Sequence, residues 1–170
     1  MKLRLAGLRL TGPLSLYGGA FALAALMIDQ ASKLAVLHGV DFGDAGIVRI
    51  LPVLDFVRAW NTGISYGLFS QGADGWWVLG GLKLAAAVLF WFWLARVDRR
   101  IEAAALGLLI GGALGNAIDR LAYGAVFDFV SLHAFGFYWY VFNLSDVAIV
   151  AGVGLLLYDS FLGGAAKLPS

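Results

Sequence analysis

Four apolar runs of roughly 20 residues, packed into a chain of only 170, restrict what this sequence can fold into more than any other feature. They extend from about Leu14 to Leu37, Trp76 to Ala95, Ala103 to Ile118 and Tyr140 to Tyr158. A soluble domain of this size has no core large enough to hide all four. The charged fraction agrees, being 14% here against about 25% in soluble domains. Lipid is therefore the solvent, and helices are the element that satisfies its own backbone there. The sequence predicts an all-α membrane protein with four transmembrane helices, forming a single integral-membrane domain over residues 1–170.

Basic residues orient the helices. Lys2, Arg4 and Arg9 precede the first run, Arg96, Arg99 and Arg100 join the second to the third, and Lys167 follows the fourth. The positive-inside bias then puts both termini in the cytoplasm. Trp76, Trp77, Tyr138, Trp139 and Tyr140 fall at the expected outer ends, and Trp91, Trp93 and Tyr158 at the inner ones, where aromatic rings favour the headgroup layer. The basic start also has the form of a secretory signal, but the run is long and carries Asp29 and Lys33, so cleavage is the weaker reading.

Residues 38–75, between helices one and two, are less apolar and hold β-branched and aromatic runs at Ile47 to Ile50 and Val53 to Val57. They are expected to form a small extracytoplasmic β-rich segment lying on the membrane. The tail after Leu162 is expected to be loose.

Several chemistries drop out on composition. A net charge of +1 provides no field for nucleic acid. No cysteine is present, which removes disulfides, thiol nucleophiles and thiolate metal sites. His38 and His133 are too far apart for an H-E-x-x-H metal motif and are read as solvated loop residues. Chemistry must then rest on carboxylates, hydroxyls, Lys or Arg.

The carboxylates gather at one depth. A charge within the bilayer costs about 2.5 to 3.5 kcal/mol on insertion scales, so each calls for a partner, water or a function. Asp119 ends the third run and Asp146 opens the fourth, near the same outer boundary. Asn116 and Asp119, like Asn143 and Asp146, are three apart on one helical face, so each acid is expected to have an amide neighbour. Asp128 lies in the connection Val126-Phe127-Asp128-Phe129-Val130, whose alternation predicts an extended segment in the interface. Asp29 reaches the outer half of helix one, with Lys33 one turn on as its ion partner. Gly107, Gly111 and Gly115 form a stripe that brings another helix close to Asn116 and Asp119.

Such an arrangement is one site opening outward. Two adjacent carboxylates cannot both ionise cheaply, so one keeps a proton while the other draws a proton from water, as in aspartic proteases. Spacing leaves Asp119, Asp128 and Asp146 all open as members of the pair. Arg120 directly follows Asp119 and is expected to hold it in a structural ion pair. Asp128 and Asp146 have no basic residue within four positions, which favours them for sharing a proton.

These residues carry a resemblance. Asp29-Gln30-Ala31-Ser32-Lys33, Asn61-Thr62-Gly63, the run from Gly111 to Arg120 (GGALGNAIDR), Val126-Phe127-Asp128-Phe129 and Phe142-Asn143-Leu144-Ser145-Asp146 resemble, in order and over nearly the whole chain, the motifs of bacterial lipoprotein signal peptidases (signal peptidase II). The resemblance implies a four-helix aspartic endopeptidase of the bacterial inner membrane, with its site on the periplasmic side. It implies cleavage of signal peptides from diacylglyceryl-modified prolipoproteins just before the lipidated cysteine, with no metal or other cofactor. By matching position, Asp128 and Asp146 would be the catalytic dyad. Asn116, Asp119, Arg120 and Asn143 would brace dyad and substrate, with Asp29, Lys33 and Asn61 as further motif positions. Sensitivity to a globomycin-type inhibitor is expected on the same ground. Two departures stand out: Ser145 occupies a position where alanine is common in that family, and Ile64-Ser65-Tyr66 replace a small-small-phenylalanine segment.

An outer-leaflet substrate with lipid tails needs carboxylates at that depth beside an apolar groove, which Phe135-Gly136-Phe137-Tyr138-Trp139 would line or cap, unless they serve as an aromatic belt. Lys83, inside helix two, is assigned no catalytic role. Ser32 and Lys33 point about 100° apart, against a Ser-Lys protease. The rival readings are a small proton-coupled carrier, which would show repeated halves and interrupted helices, and a scaffold subunit, which leaves Asp128 and Asp146 without purpose.

Overall fold

A computed structural model describes residues 4–5, 8–63 and 75–165 of the chain. Its helices are α1 (Ser15–Gly39), α2 (Gly75–Leu94), α3 (Arg100–Tyr123) and α4 (Leu144–Ala165), each containing a stretch long and apolar enough to cross a bilayer. The N-terminal strands β1 (Arg4–Leu5) and β2 (Leu8–Arg9) pair as a short hairpin. Strands β3 (Ile47–Leu51) and β4 (Leu54–Asn61) follow α1, and β5 (Val126–Ala134) and β6 (Phe137–Tyr138) follow α3.

α3 is the centre of the bundle. Of its apolar window 72% is buried, against 28% or less for the other three helices, and it packs against all of them. Its sequence explains why. Ala103, Ala104, Ala105, Gly107, Gly111, Gly112, Ala113, Gly115 and Ala117 are all buried, so three neighbours approach its backbone closely. A Cβ on Gly107 or Gly111 would meet the carbonyl oxygens of Gly18 and Ala22 on α1. Leu94, Leu106, Leu109 and Ile110 fill the remaining interior. The large side chains of the outer helices, such as Leu23 and Met27 on α1, Leu82 and Leu89 on α2, and Val150 and Phe161 on α4, are exposed and form the lipid-facing surface.

α4 runs to Ala165, past the expected end at Tyr158 and into the tail expected to be loose, and two further boundaries that differ from the sequence expectation bear on the site. α3 continues five residues beyond Ile118, so Asp119 and Arg120 are inside the helix. α4 starts at Leu144, not Tyr140, because the backbone of Phe142 is committed to β5: its N–H donates to Val130 O at 3.0 Å.

The antiparallel sheet has the order β3-β4-β5-β6. Only half of it comes from the segment between α1 and α2; the connection from α3 to α4, expected to be extended, supplies the other half. Phe127 and Phe129 on β5 pack with Val36 and Phe42, fastening the sheet to the end of α1. His38 is an exposed residue in the last turn of α1. His133, also expected to be a solvated loop residue, is instead half-buried on β5, with Nε2 3.1 Å from Asp55 Oδ2 and its ring stacked on Tyr138. Ile64-Ser65-Tyr66 and Lys167 lie outside the described residues.

Candidate active site

Gly124 sets the position of everything that follows it. α3 ends when Gly124 adopts the left-handed conformation, φ 74°, and donates its N–H to Arg120 O at 2.9 Å. A residue with a Cβ would be strained there. The chain leaves directly into β5, and Asp128 falls third in that strand, 4% exposed. In the β4–β5 ladder Ala59 is opposite Asp128, so Asn61, two residues on, shares its face. Asn61 Nδ2 donates to Asp128 Oδ2 at 3.1 Å.

The start of α4 supplies the second acid. Asn143 Oδ1 accepts the backbone N–H of Asp146 at 3.1 Å, while Asp146 Oδ2 accepts that of Asn143 at 3.3 Å. This reciprocal pair is a capping box built from Asn and Asp. Capping occupies the amide oxygen and leaves Nδ2 free, which donates to Asp128 Oδ1 at 2.6 Å and to Asn116 Oδ1 at 3.2 Å. Asn116 Nδ2 in turn donates to Asp146 Oδ1 at 3.0 Å. Two carboxamides thus bridge the two carboxylates and hold each from a separate element.

Beneath this layer is a buried ion cluster. Lys33 Nζ is 2.8 Å from Asp29 Oδ2 and 2.9 Å from Asp119 Oδ2, with all three side chains at most 5% exposed. Lys33 also donates to Asn116 Oδ1 at 3.3 Å. Backbone groups add to this: Ser145 N–H donates to Asp29 Oδ1 at 2.8 Å, and Phe127 N–H to Asp119 Oδ2 at 3.0 Å. One lysine therefore anchors α1 and α3, and its two acids hold the start of α4 and the start of β5. Buried charges require this degree of pairing.

The expected Asp119–Arg120 pair is not what forms. Adjacent helical residues point about 100° apart. Asp119 turns to Lys33 and Gln30, the latter donating at 3.0 Å, while Arg120 turns the other way and donates to Gly63 O at 3.2 Å. The amides are also redistributed, because Asn116 serves Asp146 across the helix interface and Gln30 is the amide neighbour of Asp119. All nine residues singled out by sequence, Asp29, Lys33, Asn61, Asn116, Asp119, Arg120, Asp128, Asn143 and Asp146, belong to one connected network. Gln30, given no role from sequence, joins them.

A cavity of about 250 Å³ opens onto this network. Asp128, Asp146, Asn116, Arg120 and Asn61 form its polar wall, and Leu79, Leu82 and Lys83 of α2 close the opposite side. Lys83, assigned no catalytic role from the sequence, is thus an ionisable residue of a membrane span that faces the cavity. A second, apolar cavity of about 350 Å³ reaches Asp146 from the other direction and is lined by Trp139, Tyr140, Phe142, Val147 and Val150.

The electrostatics divide the two acids. Burial pushes Asp128 up to about 6 from its ordinary 3.8; the nearby Asp146 adds to this, while donors from Asn61 and Asn143 act against it. A buried acid able to keep a proton beside a half-buried one facing the same cavity can perform paired acid-base chemistry on a water molecule.

The chain is similar to known proteins over most of its length. A family model described as Signal peptidase (SPase) II matches residues 21–162. The chain is 56% identical over 154 residues to a lipoprotein signal peptidase of Nitrobacter hamburgensis, covering 87% of this chain and 94% of that one. It is 50% identical to one of Beijerinckia indica, covering 90% and 92%. A solved bacterial membrane enzyme structure, obtained by the in meso method at 2.3 Å resolution, matches with a TM-score of 0.72 at 25% identity, covering 91% of this chain and 93% of that one.

Proposed function

The chain belongs to the signal peptidase II family, and from that premise we propose that it is an aspartic endopeptidase that cuts the signal peptide from diacylglyceryl-modified prolipoproteins immediately before the lipidated cysteine. Asp128 and Asp146 are the catalytic pair. The observation that carries this reading is the cavity both carboxylates line, with Asn116 and Arg120 beside them.

Asp146 is the base and Asp128 the acid. Burial favours the proton on Asp128, which leaves the base role to Asp146, the other carboxylate lining the cavity. Asp146 takes a proton from a water held between the two, and the resulting hydroxide attacks the scissile carbonyl carbon. Asp128 donates its hydrogen bond to the carbonyl oxygen, stabilising the tetrahedral intermediate, and the proton on Asp146 passes to the leaving amine. Asn61, Asn143 and Asn116 keep the carboxylates in place. Arg120 presents donors to the substrate backbone. The Asp29–Lys33–Asp119 cluster holds the elements that bear the pair.

The apolar cavity next to Asp146 gives the acyl chains a path from the bilayer to the site, and Tyr140 and Trp139 line it. The positive-inside bias of Arg9, Arg96, Arg99 and Arg100 supports an inner-membrane protein with cytoplasmic termini and the sheet and cavity on the periplasmic side. Sensitivity to a globomycin-type inhibitor is expected from the family.

Cleavage of a lipidated precursor by the wild type, Asp128→Asn and Asp146→Asn tests the assignment. Each variant is expected to abolish turnover while remaining folded and inserted. Retained turnover in both would remove the proposal.

A further inference from the structure

Lys83 is the only charged residue of α2. It is half-buried and lines the same cavity as Asp128 and Asp146. Among the described residues it makes no hydrogen bond and no ion pair. Lys33, by contrast, has two carboxylates within 3 Å, and Arg120 donates to the Gly63 carbonyl. An unpartnered cation in a membrane span is costly, and one turned into a cavity is placed to meet what enters.

The helix it packs on sets its level. α2 and α3 run in opposite directions, and a Cβ on Gly80 would stand 3.6 Å from the Cβ of Arg120. Three residues on, a rise of about 4.5 Å, Lys83 is abreast of the turn of α3 that carries Asn116. Asn116 Nδ2 donates to Asp146 Oδ1 at 3.0 Å, so Lys83 faces the acids across the cavity at their own depth. Leu79 and Leu82, the other α2 residues of that wall, are apolar. In the endopeptidase reading, on which this inference rests, the substrate backbone at the cut site is extended, because a helix would hold the scissile carbonyl in its own hydrogen bonds. Successive carbonyl groups of an extended chain point to opposite sides. When the scissile carbonyl turns to Asp128, the one before it turns to α2. Enclosed in a cavity of about 250 Å³, that oxygen leaves bulk water and needs a donor.

We propose that Lys83 is a substrate-binding residue that donates to the peptide carbonyl immediately preceding the scissile one, from the wall opposite Asp128 and Asp146. The substrate strand is then held on both edges, and the hydrogen bond from α2 fixes which carbonyl is turned to the acids. An ammonium on a flexible stem suits this task, since it reads backbone and tolerates different side chains.

Steady-state cleavage by the purified full chain tests this, comparing wild type, Lys83→Met and Asp128→Asn. Two synthetic lipidated precursor peptides are used, one natural and one with a thiocarbonyl, a weaker hydrogen-bond acceptor, in place of the carbonyl before the scissile one. Methionine in a membrane span eases insertion, so a loss at Lys83→Met is not a loss of folding. Lys83→Met should raise KM for the natural peptide about tenfold, as for one charge-assisted hydrogen bond, with kcat within about threefold of wild type. The thiocarbonyl should raise the wild-type KM and leave that of Lys83→Met unchanged, because the bond it weakens is already gone. Equal KM for the two peptides in wild type, a Lys83→Met that still discriminates between them, or a loss carried by kcat alone would each overturn the role of Lys83 alone. A wild type that leaves the natural peptide intact, or an Asp128→Asn that cuts it normally, overturns the endopeptidase reading and this role with it.

Discussion

Asn143 reaches from the cap position just before α4 to Asp128 on β5 through a 2.6 Å hydrogen bond, while its own side-chain oxygen caps the helix at the N–H of Asp146. One side chain thus couples the position of one acid to the integrity of the helix bearing the other. Replacing it with alanine should remove both functions at once. The lost cap costs about 1 kcal/mol, and the freed Asp128 leaves its productive geometry. Asn143→Ala is expected to lower the unfolding temperature slightly and kcat by at least tenfold, whereas a variant cutting at the wild-type rate would show that the bond is incidental.

The proton on Asp128 makes both activity and stability depend on pH. A working pair holds one proton, and Asp128 retains its own only up to about 6. Since kcat/KM reports the free enzyme, it should fall as pH climbs through that region. Asn61 donates to the charged form, so Asn61→Ala should raise the Asp128 pKa and move the alkaline limb to higher pH. A limb that stays put, or shifts downward, would contradict this assignment.

The same shift has a stability counterpart with a definite sign. The folded protein binds the Asp128 proton more tightly than the unfolded chain does, so this group's contribution to stability falls as pH rises between about 3.8 and about 6. Asp128→Asn cannot ionise. It should therefore resist thermal unfolding in detergent better than wild type above pH 6, with the advantage vanishing near pH 4. Equal melting of the two proteins at pH 8 would argue against burial as the dominant cause.

Local periodicity carried part of this site and topology carried the rest. Asp29 and Lys33 are one helical turn apart, and their pairing follows from that spacing alone. Four helices follow from four apolar runs. The contact between Asn61 and Asp128 instead depends on β4 pairing with β5 across 67 residues, with a bulge between Phe56 and Ala59 that no local pattern signals. Adjacency in sequence pairs Asp119 with Arg120, yet the helix turns their side chains about 100° apart and Lys33 comes from another helix. Tyr140 to Phe142 are as apolar as a helix, which hides the start of α4 at Leu144. The N-x-x-D spacing at Asn143 fits an intrahelical pair as well as the cap that it forms. The hydroxyl of Ser145, where the related family commonly has alanine, is buried and lacks a hydrogen-bond partner among the described residues.

Lys33 balances two carboxylates that have no other cation within ion-pair distance among the described residues. Lys33→Met should therefore destabilise by about 3 to 5 kcal/mol, the cost of leaving buried charge uncompensated. Arg49 gives the contrast. Its side chain is 69% exposed where it meets Asp55, and Arg49→Ala should cost no more than about 1 kcal/mol. Comparable losses in unfolding experiments would mean that the Lys33 cluster is more hydrated than its burial indicates. Adding Asp29→Asn to Lys33→Met should recover part of the loss, because one of the stranded charges is removed.

Gly115 is where α1, α3 and α4 come closest. A Cβ there would meet Ser145 Oγ and stand 2.5 Å from Asp29 Oδ2. Ser145 has a short side chain that can turn away, but Asp29 is held by Lys33 and by the Ser145 N–H and cannot yield without releasing the start of α4. Gly115→Ala is expected to cost about 1 to 3 kcal/mol, as overpacking does, and to reduce cleavage by displacing Asp146 with its helix. Gly81, also helical but with nothing within 4 Å of its Cβ position, should accept alanine at no cost. Adding Ser145→Ala to Gly115→Ala should relieve the first contact and not the second, giving partial recovery. Full recovery would assign the tight spot to Ser145 alone, and a Gly115→Ala variant as stable and active as wild type would show that the three helices do not need to approach this closely for the two acids to meet.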